Sequence, residues 1–105
     1  MSGSNGNGYV PPQGTKFDCE TTIIKTYVSS IDLNVLAKLR INEILEVRIG
    51  ENESIVLEDG DGEILGAILH SSTADILNCI KAGASYIARI IIINTPACQV
   101  EIKRK

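Results

Sequence analysis

The chain has 105 residues, of which 44% are apolar, and 13 acidic against 10 basic side chains give a formal net charge of −3. This length predicts one domain, and the apolar content excludes an intrinsically disordered chain. The charge balance argues against a dedicated cationic nucleic-acid binder, and no apolar run approaches the ~18 residues that span a membrane. Because aromatic residues make up only 4%, we expect an aliphatic core.

Residues 1–15 are expected to form a flexible tail, because they combine four glycines and two prolines with no charged side chain. Residues 16–105 then form a single domain resembling a β-barrel. The first residues lack the basic and apolar segments of a signal peptide. Three widely spaced cysteines (Cys19, Cys79 and Cys98) fit reduced, mostly buried thiols, which together predict a cytoplasmic location.

The first half of the domain predicts four strands and one short helix. Alternating β-branched residues indicate a strand over residues 17–27, and apolar residues at helical spacing indicate a helix over residues 32–39. Three further alternating runs predict strands over residues 44–49, 55–57 and 64–69. The run Asp59-Gly60-Asp61-Gly62 predicts a hairpin, since glycine tolerates the positive φ of such turns.

The second half predicts a longer helix over residues 73–82 and two strands, at 86–93 and 98–103. Ser72 and Asp75 resemble a capping box, and Gly83 stands where a left-handed C-cap ends a helix. The strand at 86–93 is apolar on both faces, with Ala88, Ile90 and Ile92 on one and Ile87, Ile91 and Ile93 on the other. Such a strand is expected to be covered on both faces, by a helix, the N-terminal strand or a second subunit.

The predicted order is therefore β-α-β-β-β-α-β-β. Mostly antiparallel neighbours joined by short turns are typical of an α+β domain with two helices packed on a sheet. We expect a small, strongly twisted antiparallel sheet or a half-open β-barrel of about six strands.

Polar clusters give little indication of catalysis. A zinc site would need the four residues Cys19, His70, Cys79 and Cys98, which lack the close-paired spacing of zinc ligands. His70 stands beside two serines, but those serines are explained as helix-start residues and no orienting acid is evident. The acidic run at residues 58–63 fails the EF-hand spacing and fits a solvated hairpin tip. We therefore predict no enzyme activity, no cofactor and no metal.

Residues 43–63 carry eight carboxylates and a single basic residue, Arg48. Such a segment repels phosphate and would suit a basic protein surface or serve as a solubilising face. The basic end, residues 103–105, is weak evidence for nucleic acid.

From Glu43 to Ile90 the order of features resembles a HIRAN domain, a small β-barrel module attached to DNA-repair helicases and found in short bacterial proteins. The matching pieces are Ile44-Leu45-Glu46-Val47-Arg48, Ile55-Val56-Leu57, residues 62–68, the helix ending at Gly83, and residues 86–90. The resemblance implies a small barrel. HIRAN domains that bind a single-stranded DNA 3′ end carry an Arg-Glu-Pro-x-Asn segment. Arg48 and Asn52 stand at its first and last positions, whereas Ile49-Gly50 replaces Glu-Pro and the following Tyr- and Asp-containing stretch is missing.

Two functions follow as hypotheses. The first is a non-catalytic protein-interaction or adaptor module, with a protein partner or a second copy bound through the Ile-rich strand. The alternative is HIRAN-like binding of single-stranded DNA ends through Arg48, Asn52 and Arg89. Nucleic-acid binding is expected to be weak or absent at physiological salt, because few basic side chains are available to neutralise phosphates.

Overall fold

The computed structural model describes residues 17–105, which form six strands, two α-helices and one 3-10 turn. The elements, in chain order, are β1 (Ile24–Ser29), α1 (Leu33–Leu36), β2 (Ile44–Ile49), the 3-10 turn Glu51–Glu53, β3 (Ile55–Glu58), β4 (Ile64–Ile68), α2 (Thr73–Lys81), β5 (Tyr86–Asn94) and β6 (Ala97–Arg104). The predicted flexible tail at residues 1–15 lies outside the described residues.

The strands close into a barrel in the order β1-β4-β3-β2-β5-β6, and every neighbouring pair is antiparallel. This confirms the α+β class, the order of elements and the number of strands. Closure pairs each strand on both sides, which removes the exposed edges of an open sheet. The seam between β1 and β4 is short, because only Val28↔Ile68 and Ser29↔Ala67 pair across it.

The barrel interior is filled by aliphatic side chains that alternate inward along each strand, as the composition predicts. Among residues 17–105, Tyr86 is the one aromatic side chain that is fully buried in this core, at 1% exposed. Its hydroxyl donates a hydrogen bond to the backbone oxygen of Cys19 at 2.7 Å. Burial raises the pKa of Tyr86 above its ordinary value.

The first helix is shorter than predicted. Asp32 is its N-cap, and the Asp32 carboxylate accepts hydrogen bonds from the backbone N–H groups of Asn34 at 2.9 Å and Val35 at 3.3 Å. The helix ends after Leu36 rather than at Leu39, although Leu39 remains buried in the core. Burial of these leucines accounts for the apolar spacing that predicted a longer helix.

The second helix, α2, ends as predicted but begins differently. Gly83 adopts φ of +108° just after the helix, a backbone conformation that residues with a Cβ atom rarely adopt. The predicted capping box is wrong, because the Ser72 side chain makes no capping hydrogen bond. The start is organised instead by His70, whose N–H donates to Thr73 Oγ1 and whose Nδ1 accepts from the Ser72 N–H, both at 3.0 Å.

The first strand begins at Ile24, seven residues later than the predicted start at residue 17. Residues 19–21 form a turn in which Asp18 Oδ1 accepts the N–H groups of Glu20 at 2.7 Å and Thr21 at 3.2 Å. The strand prediction fails here because side-chain hydrogen bonds of aspartate offer the backbone an alternative to the ladder.

A disulfide joins Cys19 in this turn to Cys79 on α2, with a Cα–Cα distance of 5.8 Å. The prediction of reduced thiols is therefore wrong for these two cysteines, because a separation of 60 residues along the chain does not reveal that the turn packs against α2. Cys98 is free and buried, as predicted. The cytoplasmic location stays a prediction and loses part of its support, since disulfides persist mainly in oxidising compartments.

Candidate interaction surface

Part of the way along the isoleucine-rich strand β5, the set of alternate residues that point into the core changes. Ala88 and Ile90 point into the core, but a bulge shifts the register between Ile90 and Ile92. As a result Ile92 is exposed and Ile93 packs against the core, so these two residues exchange the faces that strict alternation predicted. The far side of β5 is not fully covered within the described residues, since Ile92 is 44% exposed.

The strand registers place the exposed apolar residues of this side in two neighbouring rows. One row crosses β5, β6 and β1 through Ile92, Gln99 and Tyr27. The next row crosses β2, β5, β6 and β1 through Ile44, Arg89, Glu101 and Lys25. We call these seven residues the outer face. Its apolar members are well exposed, at 56% for Tyr27, 46% for Ile44 and 44% for Ile92.

Arg89 lies at the centre of the outer face and is held by two neighbours. Its Nη1 donates to Asn42 Oδ1 at 2.6 Å and its Nη2 donates to Glu101 Oε1 at 3.2 Å. The two partners of the ion pair are partly shielded from water, with side-chain exposures of 35% for Arg89 and 16% for Glu101. The pair is therefore an ordered polar centre among apolar neighbours.

Arg48 and Asn52, the other two predicted ligand-binding residues, lie away from Arg89. Arg89 pairs with Ile44 on β2, and Arg48 is four residues further along that strand, which places the Cα atoms of the two arginines about 14 Å apart. Arg48 Nε donates to Glu58 Oε1 at 2.5 Å. Asn52 is exposed in the 3-10 turn with φ of +55°. The structure thus brings Arg48 and Asn52 to one end of β2 and Arg89 to the other.

Two open grooves flank Arg48. The first, of about 300 Å³, lies where the ladder between β2 and β5 stops after Glu46↔Ile87 and residues 84–86 diverge from β2. The second, of about 430 Å³, lies on the outside of β2, β3 and β4. Its lining mixes apolar Ile49, Val56 and Ile64 with polar and charged side chains.

Half of the eight carboxylates in the acidic segment at residues 43–63 are paired with basic residues, three of which come from other parts of the fold. Four of its carboxylates form ion pairs: Glu46 with Lys105, Glu53 with Lys81, Glu58 with Arg48, and Glu63 with Lys38. Asp59 is buried, and its carboxylate accepts the N–H groups of Asp61 and Glu63 inside the predicted hairpin. The attraction of this segment for a basic partner is therefore smaller than the sequence suggests.

Cys98 and His70, the remaining polar candidates, take part in the packing and turns of the fold. Burial raises the pKa of the Cys98 thiol, which disfavours the nucleophilic thiolate. The Nδ1 atom of His70 accepts a hydrogen bond from the Ser72 N–H in the turn before α2. Within residues 17–105, no three His, Cys, Asp or Glu side chains come together as a metal site.

The sequence pattern does not identify Tyr27 and Ile44 as surface residues. An isoleucine or tyrosine in an alternating strand is equally consistent with either face, because a shift of one residue exchanges all inward and outward positions. The signal that could have identified Ile44 is its shared parity with Glu46 and Arg48, both of which are polar.

The fold defines a small closed antiparallel β-barrel carrying two helices. It is similar to the crystal structure of a protein from Lactobacillus plantarum, with a TM-score of 0.68 and 12% sequence identity over 79% of this chain and 95% of that one. This similarity shows the fold alone. No protein-family model matches the chain, and no curated protein matches it. The HIRAN resemblance therefore stays a prediction. None of the described helices is long and apolar enough to cross a membrane.

Proposed function

We propose that this protein is a non-catalytic interaction module that binds a protein partner through the outer face centred on β5. The observation that carries the proposal is the outer face itself, in which the exposed side chains of Tyr27, Ile44 and Ile92 lie around the ordered Arg89–Glu101 ion pair. A cytoplasmic location is part of the same proposal.

The composition of the outer face supports this function. Tyrosine and arginine are enriched among residues that dominate binding energy at protein interfaces, where they lie among apolar contacts that exclude water. Arg89 is pre-positioned by Asn42 and Glu101, so little side-chain entropy remains to be lost on binding. Tyr27, Ile44 and Ile92 are interleaved with Gln99 and the Arg89–Glu101 pair, so the outer face mixes apolar and polar contacts as protein–protein interfaces do.

Photo-crosslinking tests the proposal. A photoreactive amino acid at Ile92 in the source cells is expected to give a protein adduct that is absent when the same residue is placed at Ile64. Ile64 is a matched control because it is an isoleucine of similar exposure, 41%, on β4, which lies three strands away from β5 and outside the outer face. Equal crosslinking from both positions, or none from Ile92, would contradict the proposal.

Binding of single-stranded DNA ends is the second candidate, and the position of Arg48 and Asn52 at one end of β2 is what favours it. Tight binding needs basic side chains that are free to neutralise phosphates. Arg48 is paired with Glu58 and Arg89 with Glu101, so each would have to exchange a carboxylate for a phosphate.

We therefore expect no binding of a short single strand with a free 3′ end at about 150 mM salt, measured by fluorescence polarisation. Arg48→Ala is the diagnostic variant and Lys25→Ala the control for a general loss of positive charge. Micromolar binding that Arg48→Ala abolishes and Lys25→Ala preserves would promote the DNA-end function above the interaction module.

A further inference from the structure

We infer that the partner of the outer face is a second copy of this chain, related by a twofold axis that runs parallel to β5 and β6. This inference rests on the proposed function and adds the identity of the partner to it. The evidence is the charge pattern of the central row, which is complementary to itself under that operation.

The central row reads apolar, positive, negative, positive across four adjacent strands: Ile44 on β2, Arg89 on β5, Glu101 on β6 and Lys25 on β1. The two central charges are opposite in sign and directly cross-strand. A twofold axis that lies in the plane of the interface, between β5 and β6, exchanges the two sides of that axis. Each residue keeps its position along the strand direction. The operation therefore places β5 of one copy over β6 of the other.

Under this operation Arg89 of each copy faces Glu101 of the other. Each guanidinium has five N–H donors, of which the two contacts within the chain leave others to donate across the interface. The result is a ring of four alternating charges, in which every charge has two neighbours of opposite sign. An isologous interface requires such self-complementarity, and a face of one charge sign would not provide it.

The flanking residues also fit. Ile44 lies over Lys25 of the second copy, whose aliphatic stem can cover the isoleucine while its ammonium group remains in water. In the next row Ile92 lies over Gln99 of the second copy, and Tyr27 forms the edge of the contact. The exposed apolar side chains would then surround the charged ring and exclude water from it, which strengthens each ion pair.

Charge reversal in two separate variants tests this arrangement. Arg89→Glu gives a negative pair on the outer face and Glu101→Arg gives a positive pair, so each variant alone would place like charges opposite each other across the twofold axis. Sedimentation velocity at concentrations up to about 1 mM is expected to show a dimer for the wild type and a dimer Kd weakened at least about tenfold for each variant. An equimolar mixture of the two variants is expected to form a heterodimer.

Formation of the heterodimer in the mixture also shows that both variants are folded. Arg48→Glu is the matched control, because it reverses a charge in the Arg48–Glu58 ion pair near the other end of β2 and should leave the dimer unchanged. A monomeric wild type, or a mixture that stays monomeric, would overturn the second-copy inference. If crosslinking from Ile92 then captured a different protein, the interaction-module proposal would stand without it.

Discussion

Replacing Cys19 and Cys79 together by serine is expected to lower the free energy of unfolding by about 4 kcal/mol. The disulfide closes a loop of 60 residues, so it removes a large part of the conformational freedom of the unfolded chain. A loss of this size should lower Tm by roughly 15–30 °C for a domain of about 90 residues.

Urea unfolding with and without a reducing agent measures this effect. The wild type should lose stability when reductant is added, and the reduced wild type should approach the stability of the Cys19→Ser, Cys79→Ser variant. That variant should not respond to reductant, because its remaining cysteine, Cys98, is a free thiol in both conditions. If reductant left the wild type unchanged while mass spectrometry showed both thiols free, the stabilising role of the bond would be wrong.

The sequence predicted the elements best where alternation and turn residues agree. The bounds of β2 match the prediction, with Leu45 and Val47 facing the core. The hairpin between β3 and β4 also forms as predicted, since the Asp59 carboxylate caps the turn and Gly62 takes φ of +83°. These features depend on neighbours within a few residues, which is the range that a sequence pattern describes.

Features that depend on distant residues were not predictable in the same way. The bulge in β5 is hidden because isoleucines occupy both faces, so a slip of one residue leaves the apolar pattern unchanged. The pairing of Cys19 with Cys79 depends on how a turn packs against a helix that is 60 residues away. Closure of the barrel depends on the seam between β1 and β4, which only two residue pairs form.

The candidate site shows the same limit. Arg48 and Arg89 are easily identified as rare basic residues, but their partners follow from strand register. Glu101 lies opposite Arg89 because β5 and β6 pair in one particular register, and Glu58 reaches Arg48 across β2 and β3. From sequence alone, Arg48 and Arg89 are two unpaired positive charges. In the fold each forms an ion pair with a glutamate, and the two pairs lie at different ends of β2. This difference favours the interaction module over DNA binding.

Substitution of Gly66 by alanine is expected to open the narrow seam of the barrel and to lower the free energy of unfolding by roughly 2–3 kcal/mol. A Cβ atom at this position would lie 2.6 Å from the backbone oxygen of Ser29 and 2.7 Å from Val28 Cγ1. The backbone oxygen cannot rotate away as a flexible side chain could, so β1 itself would have to move. Because β1 is joined to β4 by only the Val28 and Ser29 pairs, that movement would break much of the seam.

Thermal unfolding and amide hydrogen exchange together measure the result for Gly66→Ala. We expect a lower Tm and faster exchange concentrated in β1 and β4, while β5 and β6, which share the longest ladder, stay protected. Gly60→Ala is the matched control, since a Cβ there would meet nothing within 4 Å, and its stability should change by less than about 0.5 kcal/mol. Equal stability of the two alanine variants would show that β1 can shift without loss, and that the close approach at Gly66 does not hold the barrel closed.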